Sequence, residues 1–353
     1  MRALARILTT VLAVLLLFSL ASCKRGSDVP LSPGLSMIEG EPVFEKDVAM
    51  RTDHFTVTPG MMAYFFYDYG GEVLAAIEQS KPFDASKSLH DQAFDEGRSF
   101  YDVIMNATLQ KVSELLIYCE AAHAAGVELT EEQHKTIEQE LYTLTMTAAM
   151  DSQTADVYLQ KRYGPLISKE AFRQVLELEL LASSYSVTVN RELEGSIAKD
   201  QIESYAKEQG LNDGTPSRNM AYMVIPHVNG KTDEAKISEV LSALQSTPKK
   251  ETLDAYAAAF TVGSEENLTP DNVGIKAIKD WLFDSARTKG DYGRVAGEGC
   301  TYVVIYTDNG MSYGQVSARM HLYDAAYAAW YNGWVEALHF GYNYDVIDGY
   351  DVS

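Results

Sequence analysis

Basic side chains are scarce in this chain: 29 Lys and Arg stand against 50 Asp and Glu, for a formal net charge of −21 at pH 7. Such a polyanion repels a phosphate backbone, which excludes nucleic acid as an expected partner. The charge keeps the protein dispersed and says nothing about its fold. Cysteine is nearly missing as well, with 3 residues. Cys119 and Cys300 lie too far apart in sequence to make a framework of the kind small secreted domains use, and both are expected as free thiols. A chain of 353 residues can bury one large core or two ordinary ones without cross-links. There is no Gly-rich phosphate loop and no Gly-x-Ser-x-Gly elbow of a hydrolase. His54, His90, His123, His134, His227, His321 and His339 are scattered, with no i, i+4 pair framing a Glu as in a metalloprotease helix. No metal and no cofactor are therefore expected.

Long apolar runs are missing too, except at the start. Arg2 and Arg6 precede an apolar stretch from Val11 to Leu20, and Leu20-Ala21-Ser22-Cys23 matches the bacterial lipoprotein box. The run is shorter than the roughly 20 residues of an ordinary span. Residues 1–22 are thus expected to be a signal peptide, with the lipid on Cys23 tethering the body to the extracytoplasmic face of a bacterial cell membrane. Loss of residues 1–22, whose only charges are Arg2 and Arg6, leaves the mature chain two units more acidic. Residues 23–42 are rich in Gly, Pro and Ser with little periodic apolar content, which reads as a flexible tether.

Residues 43–213 read as a helical domain. Thr58-Pro59 opens a helix bearing Met61, Met62, Tyr64, Phe65 and Phe66. A second helix runs from about Ser99 to a stop at Gly126, and Thr130-Glu131-Glu132-Gln133 is a capping box for a third. Thr154, Ser168 and Asp200 begin three more. Residues 214–314 change character: Met220 to Ile225 reads as a buried strand, Asp233 to Gln245 and Pro248 to Phe260 as helices, and Thr261 to Val273 as a loop. A short helix over Ala277 to Ala286 and a strand over Cys300 to Tyr306 follow. Residues 315–353 resume a helix, with Tyr327, Trp330 and Trp334, that returns to the helical domain. The fold class expected is α+β.

Between Gln110 and Gly210 a helix ends in Ala121-Ala122-His123-Ala124-Ala125-Gly126-Val127, followed by Leu129-Thr130-Glu131-Glu132, Tyr158-Leu159, Tyr163-Gly164 and Ser168-Lys169-Glu170-Ala171-Phe172-Arg173. In order and spacing these phrases resemble the chaperone core of extracytoplasmic foldases of the SurA and PrsA type, whose layout the whole mature chain fits. Ser217 to Gly310, with Trp281-Leu282-Phe283-Asp284 and Lys289-Gly290-Asp291, resembles the parvulin type of peptidyl-prolyl isomerase domain. Active members carry a His in the first strand and another in the last; the matching places here are nearest Tyr222 and Thr301. The resemblance therefore implies a catalytically degenerate module.

Isomerisation about an X-Pro bond needs no nucleophile, only a dry pocket that favours the twisted amide over either planar state. Phe260, Trp281, Leu282 and Phe283 are the candidates for such a pocket, with Tyr222 and Thr301 beneath as candidate catalytic groups. Holding a non-native client instead needs an adaptable apolar surface, and Met61, Met62, Phe65 and Phe66 supply the densest Met and aromatic cluster. The function expected is a membrane-anchored folding factor that binds unfolded or newly exported polypeptides. An active isomerase with a non-standard site is the alternative, and a transporter's substrate-binding lipoprotein fits the helical first half less well. The reading requires a sheet between Ser217 and Gly310 and a Trp-bearing final helix packed on the early ones.

Overall fold

The computed structural model describes residues 40–78 and 81–350, so the leader, the lipobox with Cys23 and most of the tether lie outside the described residues. Ile197–Leu322 form one compact unit, and the described residues on either side of it form the other. The architecture is α+β, with a helical unit discontinuous in sequence and a sheet-bearing unit inserted into it.

The helical unit opens with three two-residue strands, β1 (Glu41–Pro42), β2 (Met50–Arg51) and β3 (Thr56–Val57), and then α1 (Pro59–Glu78). The Thr58 hydroxyl accepts from the Met61 N–H at 3.4 Å, as the Thr-Pro signal predicts. A hairpin of β4 (Ala93–Asp95) and β5 (Arg98–Ser99) leads into α2 (Phe100–Ala124), where Ser99 and Asp102 cap each other reciprocally. Gly126, at φ +69°, provides the left-handed residue that ends α2. Thr130 and Gln133 form the expected capping box of α3 (Glu131–Met150). Then come α4 (Ala155–Tyr163) and the long α5 (Lys169–Ser196), whose first turn is capped by the Ser168 hydroxyl accepting from Ala171 N–H at 3.0 Å. The core forms where α2 packs on α1 and α5. Approach is close: a Cβ on Gly60 would lie 2.6 Å from the Leu166 carbonyl oxygen, and one on Gly70 would lie 2.7 Å from Ile104 Cγ2.

The inserted unit begins with α6 (Lys199–Glu208), whose Ile202 and Ala206 pack on Ala318. The compact unit thus begins at Ile197, before the boundary at residue 214 that the sequence suggests. Next are β6 (Pro216–Pro226), α7 (Glu234–Ser246), α8 (Lys250–Asp254), β7 (Thr261–Leu268), α9 (Lys276–Leu282), β8 (Tyr292–Gly297) and β9 (Cys300–Ser312). The four strands form one antiparallel sheet in the order β7-β6-β9-β8. Three readings are corrected here. The helix expected to run to Phe260 stops at Asp254. The stretch read as loop contains β7, and β8 had no sequence counterpart. Both are flanking strands of polar or glycine-bearing sequence, TVGSEENL and YGRVAG, that lack the apolar alternation by which a strand is recognised.

Strand alternation gives the sheet two apolar faces. Ala221, Met223, Ile225, Val303 and Ile305 lie on one, under Ile237, Val240, Leu244 and Leu253. Met220, Val304 and Tyr306 lie on the other, with Leu268, Ile278, Leu282 and Val295.

The last long helix, α10 (Tyr313–Ala337), carries the chain back, followed by β10 (Gly341–Tyr342) and α11 (Tyr344–Ile347). Its later turns enter the helical core: Tyr331 is 1% exposed, Trp330 packs 5.0 Å from the Tyr118 ring, and the Tyr327 hydroxyl donates to Glu114 at 2.7 Å. β10 pairs parallel with β1 and antiparallel with β2, so the last segment is stitched to the first described residues. The sheet and the returning helix that the sequence reading required are both present.

Candidate functional site

A cleft of about 580 Å³ opens in the helical unit. Its walls are Phe55 and Met61 from the β3–α1 region, Val127 and Leu129 from the turn after α2, and Leu178 and Leu181 from α5. His123, His134, Gln174 and Glu177 supply polar groups at the same place. Thr56, Thr58 and Glu128 also line it, so apolar and polar side chains alternate around a cleft whose volume is in the usual range for a binding site.

Of the four residues expected to bind clients, only Met61 lines this cleft. Met62, Phe65 and Phe66 are each 0% exposed and Met61 1%, so α1 is the buried spine of the unit, and the surface it was expected to present is inside. Phe66 packs against Tyr101 and Tyr350 at ring distances of 5.9 and 5.8 Å. The run Met61-Met62-Ala63-Tyr64-Phe65-Phe66 is apolar all round, and a helix of that kind belongs in a core.

Beside the cleft, the last turns of α2 and the loop before β3 bring together three side chains that sequence reading left apart. Glu120 is 2% exposed. Its Oε1 accepts from the Thr52 hydroxyl at 2.6 Å and from the His54 N–H at 2.7 Å, and its Oε2 lies 2.7 Å from His54 Nδ1. The His54 and His123 rings stack at 4.0 Å with 28° between planes, and Phe55 meets His123 edge-on at 6.4 Å. One signal was available: Glu120 and His123 are three residues apart on one helix, hence on one face. His54 comes from a loop 66 residues earlier, a proximity no local spacing announces.

Glu179 on α5 is a second carboxylate of note in the helical unit. It accepts from the Tyr69 hydroxyl at 2.7 Å. Burial, aided by the charge of Asp68, pushes it up to about 7 despite that hydrogen bond. In turn, burial and the Glu179 charge push the hydroxyl of Tyr69 well above its ordinary value.

In the inserted unit the expected proline pocket is divided. Tyr222, Trp281, Leu282 and Phe283 gather on one face of the sheet, whereas Phe260 packs on the other. Tyr222 and Thr301 are also separated: Tyr222 pairs with Val304 and shares the face of Met220, whereas Thr301 pairs with Ile225 and shares the face of Met223 and Val303. Thr301 is 6% exposed, and its hydroxyl lies 3.1 Å from His227 Nε2. The Tyr222 ring covers Gly263, where a Cβ would come within 2.6 Å of it. Burial, followed by the Glu265 charge, raises its hydroxyl above the ordinary value. The Arg287 guanidinium stacks 4.6 Å from the Trp281 ring centre. These two expected catalytic groups therefore do not face a common space. Cys23, the expected lipidation site, is outside the described residues.

No family model matches the chain, and no curated protein matches it. Among solved structures it is similar to PrsA from Bacillus subtilis, with 14% identity and a TM-score of 0.32 over 83% of this chain and 92% of that one. It is also similar to the foldase protein PrsA from Streptococcus pneumoniae, with 11% identity and a TM-score of 0.27 over 70% of this chain and 93% of that one. A third similarity is to a SurA-like chaperone of Campylobacter jejuni, with 12% identity and a TM-score of 0.23 over 84% of this chain and 98% of that one. Among the described residues no helix is long and apolar enough to cross a membrane.

Proposed function

We propose that this chain is a lipid-anchored, extracytoplasmic folding factor whose helical unit holds apolar segments of unfolded or newly exported polypeptides. The observation that carries the reading is the cleft of about 580 Å³, walled by Phe55, Met61, Val127, Leu129, Leu178 and Leu181 and set in an acidic protein. Apolar walls on an open cleft accept varied apolar side chains. The charge discourages the protein from aggregating with a bound client. The lipobox ending at Cys23 supports the anchor, and the succession of phrases from Gln110 to Gly210 supports the foldase class. In this reading the inserted unit is a parvulin-like module without isomerase chemistry, since Tyr222 and Thr301 face opposite sides of the sheet.

The test is suppression of light scattering by an aggregating client at equal molarity. Val127 is 38% exposed at the cleft wall, so Val127→Asp places a charge there without burying it. The expected result is suppression by the parent and loss of suppression by V127D with an unchanged melting curve. Absence of suppression by the parent counts decisively against the reading. In a protease-coupled assay on a Pro-containing peptide, the rate is expected to equal that of buffer; a clear acceleration restores the isomerase alternative.

A further inference from the structure

We propose that His54, Glu120 and His123 form a binding site for a divalent transition metal, with Zn²⁺ the best match to the donor set. One ligand atom from each of the three lies within 4.8 Å of the others. Tetrahedral zinc with bonds of about 2.0–2.1 Å keeps its ligand atoms roughly 3.3 Å apart, so binding would take side-chain rotations that also part His54 Nδ1 from Glu120 Oε2, now 2.7 Å apart. The mobility is in the right place. The His54 side chain is 52% exposed and His123 is also exposed, whereas the Glu120 side chain is 2% exposed and fixed by the Thr52 hydroxyl and the His54 N–H.

Charge supports the same assignment. The side chain at ion-pair distance from Glu120 is His54, and no Lys or Arg is paired with it among the described residues. A bound dication would add positive charge beside this buried carboxylate. Two imidazoles and a single carboxylate suit zinc and its neighbours in the transition series, whereas calcium and magnesium take sets of oxygen ligands. Glu120 and His123 present their donors from i and i+3 of α2, the Glu-x-x-His spacing that helical bundles use to hold metals. Phe55 lies edge-on to the His123 ring at 6.4 Å. Three protein ligands leave a fourth position for water. Because His123 also lines the cleft, the ion would stand at the cleft wall. The assignment departs from the sequence expectation of no metal and does not rest on the folding-factor reading.

Titration of the purified full-length protein with Zn²⁺ alone, followed by calorimetry, tests it. The expected result is one ion per chain with micromolar or tighter affinity, weakened at least tenfold in each of His54→Ala and His123→Ala. His134→Ala, also in the cleft, should bind as the parent does. Co²⁺ gives a second readout: its visible absorption should indicate a low-coordinate site in the parent and vanish in H123A. Because both substituted rings are exposed, unchanged circular dichroism of the variants should accompany these losses. No saturable binding by the folded parent, or equal affinity in parent and H123A, overturns the proposal.

Discussion

Glu179→Gln should stabilise the helical unit above neutral pH and leave it nearly unchanged in acid. The carboxyl is raised from its ordinary 4.5 to about 7, chiefly by burial. At 1.36 kcal/mol per pH unit this corresponds to about 3 kcal/mol by which ionisation weakens the fold. For a carboxyl raised in the folded state, the stabilising contribution is fully present below 4.5 and is lost as pH climbs through about 7. The Gln variant never ionises and keeps an acceptor for the Tyr69 hydroxyl, so its advantage should grow across that window. Urea unfolding in a Trp281→Phe background isolates the helical unit, because the remaining tryptophans, Trp330 and Trp334, both pack against its core. E179Q should exceed its parent by about 3 kcal/mol near pH 8.5 and match it near pH 4.5. Tyr69→Phe, which removes the hydrogen bond that favours the ionised form, should move the midpoint of the pH dependence upward. A stability difference between E179Q and its parent that does not change with pH refutes the reasoning.

Phe66→Ala, at a fully buried position, should cost about 3–5 kcal/mol in urea unfolding; a loss of client binding at unchanged stability would instead return α1 to the role of a client surface. Cys119 is buried and its thiol pushed up to about 12, so peptide mapping after iodoacetamide should find it unmodified in the native protein and modified in urea. Gly60→Ala should lower the melting temperature although alanine favours the helix by about 1 kcal/mol, because its Cβ would sit 2.6 Å from the Leu166 carbonyl oxygen; a raised melting temperature shows that the loop before α5 yields easily.

Local signals were enough to place the helix starts at Pro59, Phe100, Glu131, Ala155 and Lys169, because Thr58, Ser99, Thr130, Thr154 and Ser168 cap from within three residues of the donors they satisfy. The central strands β6 and β9 were legible for a similar reason: they are buried and carry nearly continuous apolar runs. The flanking strands β7 and β8 were not, since backbone pairing to a neighbour holds them and their side chains carry little of the pattern.

By itself the sequence determined a helical body interrupted by a sheet and resumed by an aromatic helix, because apolar period and capping chemistry are written in neighbouring residues. Which side chains meet was decided by tertiary structure alone. The pleat and the register of β6 on β9 send Tyr222 and Thr301 to opposite faces, and the loop before β3 lays His54 against Glu120 and His123. Each depends on how distant segments pack, and no spacing along the chain encodes that.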